Sequence, residues 1–215
     1  MATLIIGLGN PGGEYARTRH NCGWMVLDEL EGRGRFARAR REGPAKVRAG
    51  TVDGFDVVLA RPTTFMNLSG RAGVHLVRVL GVPTSDVVVV HDDVDLPFGR
   101  LRLRRGGSAG GNRGVRSLIE SWQTPDFIRV RVGIGRPAAG EDTVDHVLDP
   151  FTLEERQRLP PILDRAADAV AAIVREGLER AMNQYNRPLP PGPDGPEAPS
   201  PPPGPEGPEV PSPGD

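Results

Sequence analysis

The apolar positions change period repeatedly along the chain, and each change marks an element. "TLIIGL" (3–8) is an unbroken apolar run that reads as a buried strand. "HNCGWMVLDELEG" (20–32) sets Trp24, Val26, Leu27 and Leu30 on a helical stripe. "AKVRAGTVDGFDVVLARP" (45–62) is a hairpin turning at Asp53-Gly54, with "FDVVLA" as its apolar return strand. "NLSGRAGVHLVRVLG" (67–81) predicts a helix with Val74, Val77 and Leu80 at helical spacing. "SDVVVVHDD" (85–93) is too uniformly apolar for a half-exposed strand and suits one buried on both faces. "GRLRLRRGG" alternates, "NRGVRSLIESW" is a short helix and "DFIRVRVGIG" another strand. Thr152-Leu153-Glu154-Glu155 matches a capping box, and Pro160-Pro161 is expected to break that helix before a long one over about 162–183. Strands alternating with helices predict an α/β fold, a three-layer α/β/α sandwich around a mixed, mainly parallel sheet.

Composition changes this picture at one end. From Pro188 to Asp215 the chain holds 13 of its 23 prolines, five acidic residues, no basic ones, and only Leu189 and Val210 as large apolar side chains. Such a segment cannot bury enough surface to offset its ordering entropy and reads as a disordered, partly polyproline-II tail (188–215) after a folded body (1–187). Without the tail's five acids, 23 acidic residues face 27 basic ones, so a body of about +4 hides behind the whole-chain charge of −1. The lone Cys22 excludes an internal disulfide framework, fits a reducing compartment and, beside the apolar stripe, reads as structural. No leader pattern and no apolar run approaching 18 residues appears, which predicts a cytoplasmic protein without a membrane segment.

Residues 7–12, Gly7-Leu8-Gly9-Asn10-Pro11-Gly12, spell G-x-G-x-x-G after a strand. A dinucleotide site would need a helix to start there and an acidic residue about 20 positions on to end a second strand. Gly12-Gly13 disfavours the helix, and Glu29 and Glu31 fall within the helical stripe, so the stretch is a loop instead.

Ligands of open α/β sheets sit beyond the carboxyl ends of the strands. Three such ends carry polar groups: Gly9-Asn10, "RPTTFMNLSG" with Asn67, and His91-Asp92-Asp93. With His20, the crevice would hold two amides, an imidazole and a carboxylate. That set suits ester hydrolysis by water. A neutral His is a base for water near neutral pH, a carboxylate on its other nitrogen fixes the tautomer, and amides can donate to a developing oxyanion. Each residue also has a purely structural reading: His20 at a helix start, Asn10 shaping a turn, Asn67 as a helix N-cap. His91-Asp92-Asp93 could instead be a metal site of a phosphoesterase, though no second His/Asp cluster supplies further ligands. His75 and His146 read as ordinary surface residues.

A basic feature lies beside the crevice. Arg100, Arg102 and Arg104 share one face of an alternating strand, Arg105, Arg113 and Arg116 follow across a glycine-rich loop, and Arg129 and Arg131 repeat the spacing. Guanidinium forks match phosphates, so the substrate would carry phosphates at some distance from the reacting bond; the alternative is a solvated strand face. The few aromatics argue against binding by extensive base stacking.

"GLGNPGGEYARTRHN", "RPTTFMNLSG", "HDDVDLPFGRLRLRRGGSAGG", "VRVGIGRP" and "AMNQYN", collinear from about Leu4 to Asn186, resemble the bacterial-type peptidyl-tRNA hydrolases. The resemblance implies a monomeric esterase without metal or cofactor and without an obligate protein partner. It would release peptide from prematurely dissociated peptidyl-tRNA and so recycle tRNA. Carried over by motif, it implies His20 as general base, Asp92 as its orienting partner, and Asn10 and Asn67 holding the peptide and the reacting carbonyl. Tyr15 and Met66, with Phe65, would shape the pocket near the terminal adenosine, and Arg102, Arg104 and Arg131 would meet tRNA phosphates. The family's "GGHNG" is "GGNRG" here. Arg113 thus stands where the family has its loop Asn; Asn112 is expected to take over part of the substrate positioning, and Arg113 to turn toward the 3′-terminal phosphates. A non-catalytic RNA-binding relative is the alternative, against which His20 and Asp92 both argue.

Overall fold

The computed structural model describes residues 2–187; the tail expected from residue 188 lies outside the described residues. The elements run β1 (Thr3–Gly7), α1 (Cys22–Arg33), β2 (Arg35–Phe36), β3 (Arg40–Glu42), β4 (Ala45–Val52), β5 (Phe55–Pro62), α2 (Ser69–Leu80), β6 (Val88–Asp93), β7 (Leu101–Arg105), α3 (Arg113–Trp122), β8 (Ile128–Gly133), α4 (Thr143–Leu148), α5 (Leu153–Glu176) and α6 (Leu178–Tyr185). The sheet order is β2-β4-β5-β1-β6-β8-β7, with β3 also on β4. Its centre, β5-β1-β6-β8, is parallel, and both margins are antiparallel. The margin on β4 and β5 is the expected hairpin, in which Asp53 and Gly54 both take positive φ (51° and 83°), the geometry of a tight two-residue turn.

Because alternate strand residues face opposite sides, the sheet feeds two cores. Ile5, Leu59, Val88, Val90 and Val130 pack with Val26 and Leu27 of α1 and with the alanine-rich face of α5. Leu4, Ile6, Val58 and Val89 pack with Ala72 and Leu76 of α2 and with Val115 and Leu118 of α3. The result is a three-layer α/β/α sandwich.

Two expectations are corrected. The buried face of α2 is Ser69, Gly70, Ala72, Gly73 and Leu76, while Val74 is exposed. Small residues are needed there because α3 lies close: a Cβ on Gly70 would stand 2.3 Å from the Ser117 carbonyl oxygen. Pro160 and Pro161 do not break the helix; α5 runs through them and ends instead at Gly177 (φ 85°). Both prolines are exposed, so the carbonyls they leave unbonded can meet water, while Ile162, Leu163 and Ala166 hold the next turn in the core. The capping box forms as expected, with Thr152 accepting from the Glu155 N–H and Glu155 from the Thr152 N–H.

Beyond α6, Asn186 closes the edge strand β7. Its amide accepts from the Leu103 N–H at 2.7 Å and donates to the Leu103 carbonyl at 3.0 Å, as a neighbouring strand would.

The glycines of the first strand and helix place the site. A Cβ on Gly7 would meet the Gly23 carbonyl oxygen at 2.5 Å, and one on Gly23 would lie 2.4 Å from the Val90 carbonyl oxygen. A Cβ on Gly9 would enter the Trp24 ring. The G-x-G spacing thus serves close seating of α1 on β1 and β6 rather than a pyrophosphate. We expect Gly23→Ala to lower unfolding free energy by about 1–3 kcal/mol, since backbone opposes the added methyl. Gly32→Ala on the same helix, which meets nothing within 4 Å, should instead stabilise by roughly 0.5–1 kcal/mol. Urea denaturation of the two variants checks both signs.

Candidate active site

The cleft, of about 280 Å³, opens where the parallel strands end. Its floor holds Asn10, His20 and Asp92, one wall Tyr15, Phe65, Met66 and Asn67, the rim Gly110–Arg113, and the opposite wall α4 through Thr143, Val144, Val147 and Leu148.

His20 sits in a short 3-10 turn (Arg19–Asn21) just before α1, 7% exposed. Its Nδ1 is 2.9 Å from Asp92 Oδ2. A carboxylate only accepts, so Nδ1 carries the proton and Nε2 is the nitrogen left with a lone pair. Asp92, on β6 and 2% exposed, is braced a second time: Asn112 Nδ2 donates to its Oδ1 at 2.9 Å. Asn112 also caps α3, its Oδ1 accepting from the Gly114 and Val115 N–H groups at 3.0 and 3.1 Å. Its amide is therefore engaged at both ends within the protein, bracing Asp92 and capping α3 at the cleft rim.

Asn10 is fixed just as firmly. Its side-chain oxygen accepts from the Met66 N–H at 2.8 Å, which leaves Nδ2 as the group it can offer a ligand. Its backbone is clamped by Asn21, whose Oδ1 accepts from the Asn10 N–H and whose Nδ2 donates to the Asn10 carbonyl. Asn67 lies exposed in the 3-10 turn Met66–Leu68; the residue that precedes α2 is Leu68, with no side-chain cap, so Asn67 is not the helix N-cap. Met66 is buried below, and Phe65, 55% exposed, meets Tyr15 edge-on at 6.4 Å to form an aromatic lip. Such a lip can receive an apolar chain or a base.

The titration of His20 reflects opposing effects. Burial pulls its pKa down, yet the charge of Asp92 and the hydrogen bond to it together prevail and hold it above the usual 6.5, with Arg113 pulling it part of the way back. Burial and the same carboxylate push the Cys22 thiol far up, which suits its structural reading.

Among the described residues, the three groups of the metal alternative each have another partner. His91 donates from Nδ1 to the Asp92 carbonyl at 2.7 Å, Asp92 is taken by His20 and Asn112, and Asp93 pairs with Arg131. His91 and Asp93 share one face of β6 while Asp92 points to the other, so the three side chains do not converge on one ion.

The basic face is smaller than the arginine spacing suggests. Arg102 stands opposite Arg131 and Arg104 opposite Arg129 on β7 and β8. Arg102 is exposed and Arg104 half-buried, but Arg131 is ion-paired with Asp93 and Arg129 is buried. Arg113 is exposed on the cleft rim.

Five contributions escaped the sequence. Asn21 was visible only as part of "RTRHN". Arg19, 5% exposed, bonds Glu155 at 2.7 Å and the carbonyls of His146 and Asp149, and so ties the His20 turn to α4 and α5. The short helix α4 has a signal in hindsight, Asp142 as N-cap to Thr143. His146 is buried within it, bonded to the Gly135 carbonyl, and His75 is half-buried against Glu42; neither is an ordinary surface residue.

Known proteins resemble this chain in sequence and fold. The family model described as peptidyl-tRNA hydrolase matches residues 4–191. The chain is 49% identical over 185 residues to a peptidyl-tRNA hydrolase of Nocardia farcinica, covering 85% of this chain and 95% of that one. It is 47% identical over 184 residues to one of Chloroflexus aurantiacus, covering 85% and 98%. The crystal structure of peptidyl-tRNA hydrolase from Acinetobacter baumannii superposes with a TM-score of 0.78 at 34% identity, covering 86% and 94%.

We expect the imidazole of His20, followed by NMR, to titrate above pH 6.5. Asp92→Asn removes both effects that raise it and leaves burial, so the midpoint should fall below 6.5. Arg113→Ala removes a cation that opposes the imidazolium, so the midpoint should rise.

Proposed function

The chain belongs to the peptidyl-tRNA hydrolase family, hydrolases of the ester bond of peptidyl-tRNA, and we propose that it acts through a water molecule activated by His20, with no metal ion. The observation that carries this reading is the ordered relay Asn112–Asp92–His20, which leaves Nε2 as the basic nitrogen at the cleft floor.

In this mechanism the peptide runs along the aromatic lip and α4, and the ester carbonyl lies near Asn10 and Asn67. Water gives a proton to His20 Nε2 while its oxygen bonds the carbonyl carbon. Asp92 stabilises the imidazolium and keeps the ring oriented. The negative charge that develops on the carbonyl oxygen meets amide donors, Asn10 Nδ2 being held by the bond its own oxygen makes to Met66. Collapse breaks the bond from the carbonyl carbon to the ribose oxygen, and the imidazolium returns the proton to that oxygen. The products are a peptide acid and free tRNA, so the enzyme recycles tRNA from peptidyl-tRNA lost prematurely by ribosomes, as a cytoplasmic monomer.

Arg102 and Arg104 supply phosphate contacts away from the bond that breaks, and Arg113 supplies charge at the rim. The pairing of Arg131 with Asp93 makes it a weaker test of tRNA contact, because removing it also strands a buried carboxylate.

His20→Ala should reduce peptide release from an N-acylated aminoacyl-tRNA by at least about 10²-fold, with tRNA binding kept and EDTA without effect on the parent protein. Near-parent turnover in the variant, or loss of activity in chelator, would overturn the mechanism. Arg102→Ala should raise KM for full-length substrate and reduce the log–log salt slope by about 1, while a short ester lacking the tRNA body is hydrolysed at the parent rate.

A further inference from the structure

Of the arginines that alternate along β7 and β8, Arg129 is the one that the fold buries, at 2% exposure. Its guanidinium lies 4.5 Å from the centre of the Phe127 ring and faces the loop between β7 and α3. Nη2 donates to the Gly107 carbonyl at 2.6 Å and Nη1 to the Ser108 carbonyl at 2.5 Å, while Nε has no partner. We propose that Arg129 is a positioning residue for the hydrolysis: by fixing the glycine-rich loop 106–111 it sets where Asn112, and through it Asp92, stands. The inference rests on the reading of His20 and Asp92 as the catalytic pair.

Apart from Ala109, which packs on the core and whose carbonyl accepts from the Asn112 N–H at 3.1 Å, the loop has few side chains to anchor it. Gly106, Gly107, Gly110 and Gly111 all take positive φ and carry no side chain to pack, and a Cβ on Gly110 or Gly111 would meet nothing within 4 Å. Besides the grip of Arg129, its near end has one backbone bond, from the Gly106 N–H to the Phe127 carbonyl at 3.0 Å. Its far end is Asn112, whose amide spans the first turn of α3 and Asp92 Oδ1. A shift of the loop is therefore passed to the carboxylate that orients His20. Burial, with Arg104 and Arg131 adding repulsion, presses the Arg129 pKa down to about 10. An apolar side chain beside Phe127 would avoid that cost. What only the guanidinium supplies there is a fork for two successive carbonyls.

The test uses the full chain with Arg129→Met and Arg129→Lys. The Met variant should lower kcat about tenfold or more with KM for peptidyl-tRNA nearly unchanged. It should also move the acid limb of the pH profile downward, as Asp92 loses its brace and its hold on His20. The Lys variant, which keeps charge and stem but not the fork, should show a smaller loss in the same two readouts, and it decides the question if the Met variant does not fold. In an Asn112→Ala background, Arg129→Lys should change kcat little further, because both substitutions break one chain of contacts. An effect on KM alone with a flattened salt dependence, an unmoved pH limb, or full additivity with Asn112→Ala would each overturn the proposal. The catalytic pair fails separately: hydrolysis surviving in His20→Ala refutes that reading, whereas an inactive His20→Ala beside a KM-only Arg129→Lys refutes this inference alone.

Discussion

A carboxylate 2% exposed at the end of a central parallel strand has to find its donors inside the protein, and much of this molecule follows from how Asp92 does so. One oxygen takes His20, from the turn before α1 on one side of the sheet; the other takes Asn112, from the start of α3 on the other side. A single acidic group thus joins the two helical layers at the point where the cleft opens. Because Asn112 also satisfies two orphan N–H groups of α3, the seating of that helix and the orientation of the imidazole are one problem.

The surroundings are built by close approach and by disposal of charge. Gly114 lets the first turn of α3 abut Met66, where a Cβ would come 2.4 Å from the sulfur, and the Met66 N–H in turn holds the Asn10 amide. Four arginines facing each other in pairs across β7 and β8 would repel. Asp93 takes Arg131 and two loop carbonyls take Arg129, so Arg102 is left toward solvent with Arg104 half-buried beside it. The same row of residues is thereby divided between fold and surface.

What could be read in the sequence was what depends on period and on turn chemistry. The hairpin at Asp53-Gly54 and the capping box at Thr152 and Glu155 form because local geometry settles them. His20, Asp92, Asn10 and Asn67 could be grouped because strand ends in an open sheet converge. Contacts between single residues far apart in the chain had no such signal. Nothing local says that Asn21 bonds the Asn10 backbone, that Arg19 reaches Glu155 across 136 positions, or that Arg129 turns inward while Arg102 does not. Pro160-Pro161 misled for a related reason: packing of the next turn outweighs the two lost hydrogen bonds. The order of faces on α2 was set by α3, which its own valines could not reveal.

Asn186 carries a consequence for how the chain is made. Until this residue emerges, 83 positions after Leu103, the margin of the sheet shows an open N–H and C=O to any extended chain nearby, including another nascent copy. The asparagine acts as a one-residue mimic of a strand, held in place just past α6, which packs against β7. Closure of the sheet margin thus waits on one side chain far along the chain, and without its amide the β7 edge would stay open to a foreign strand.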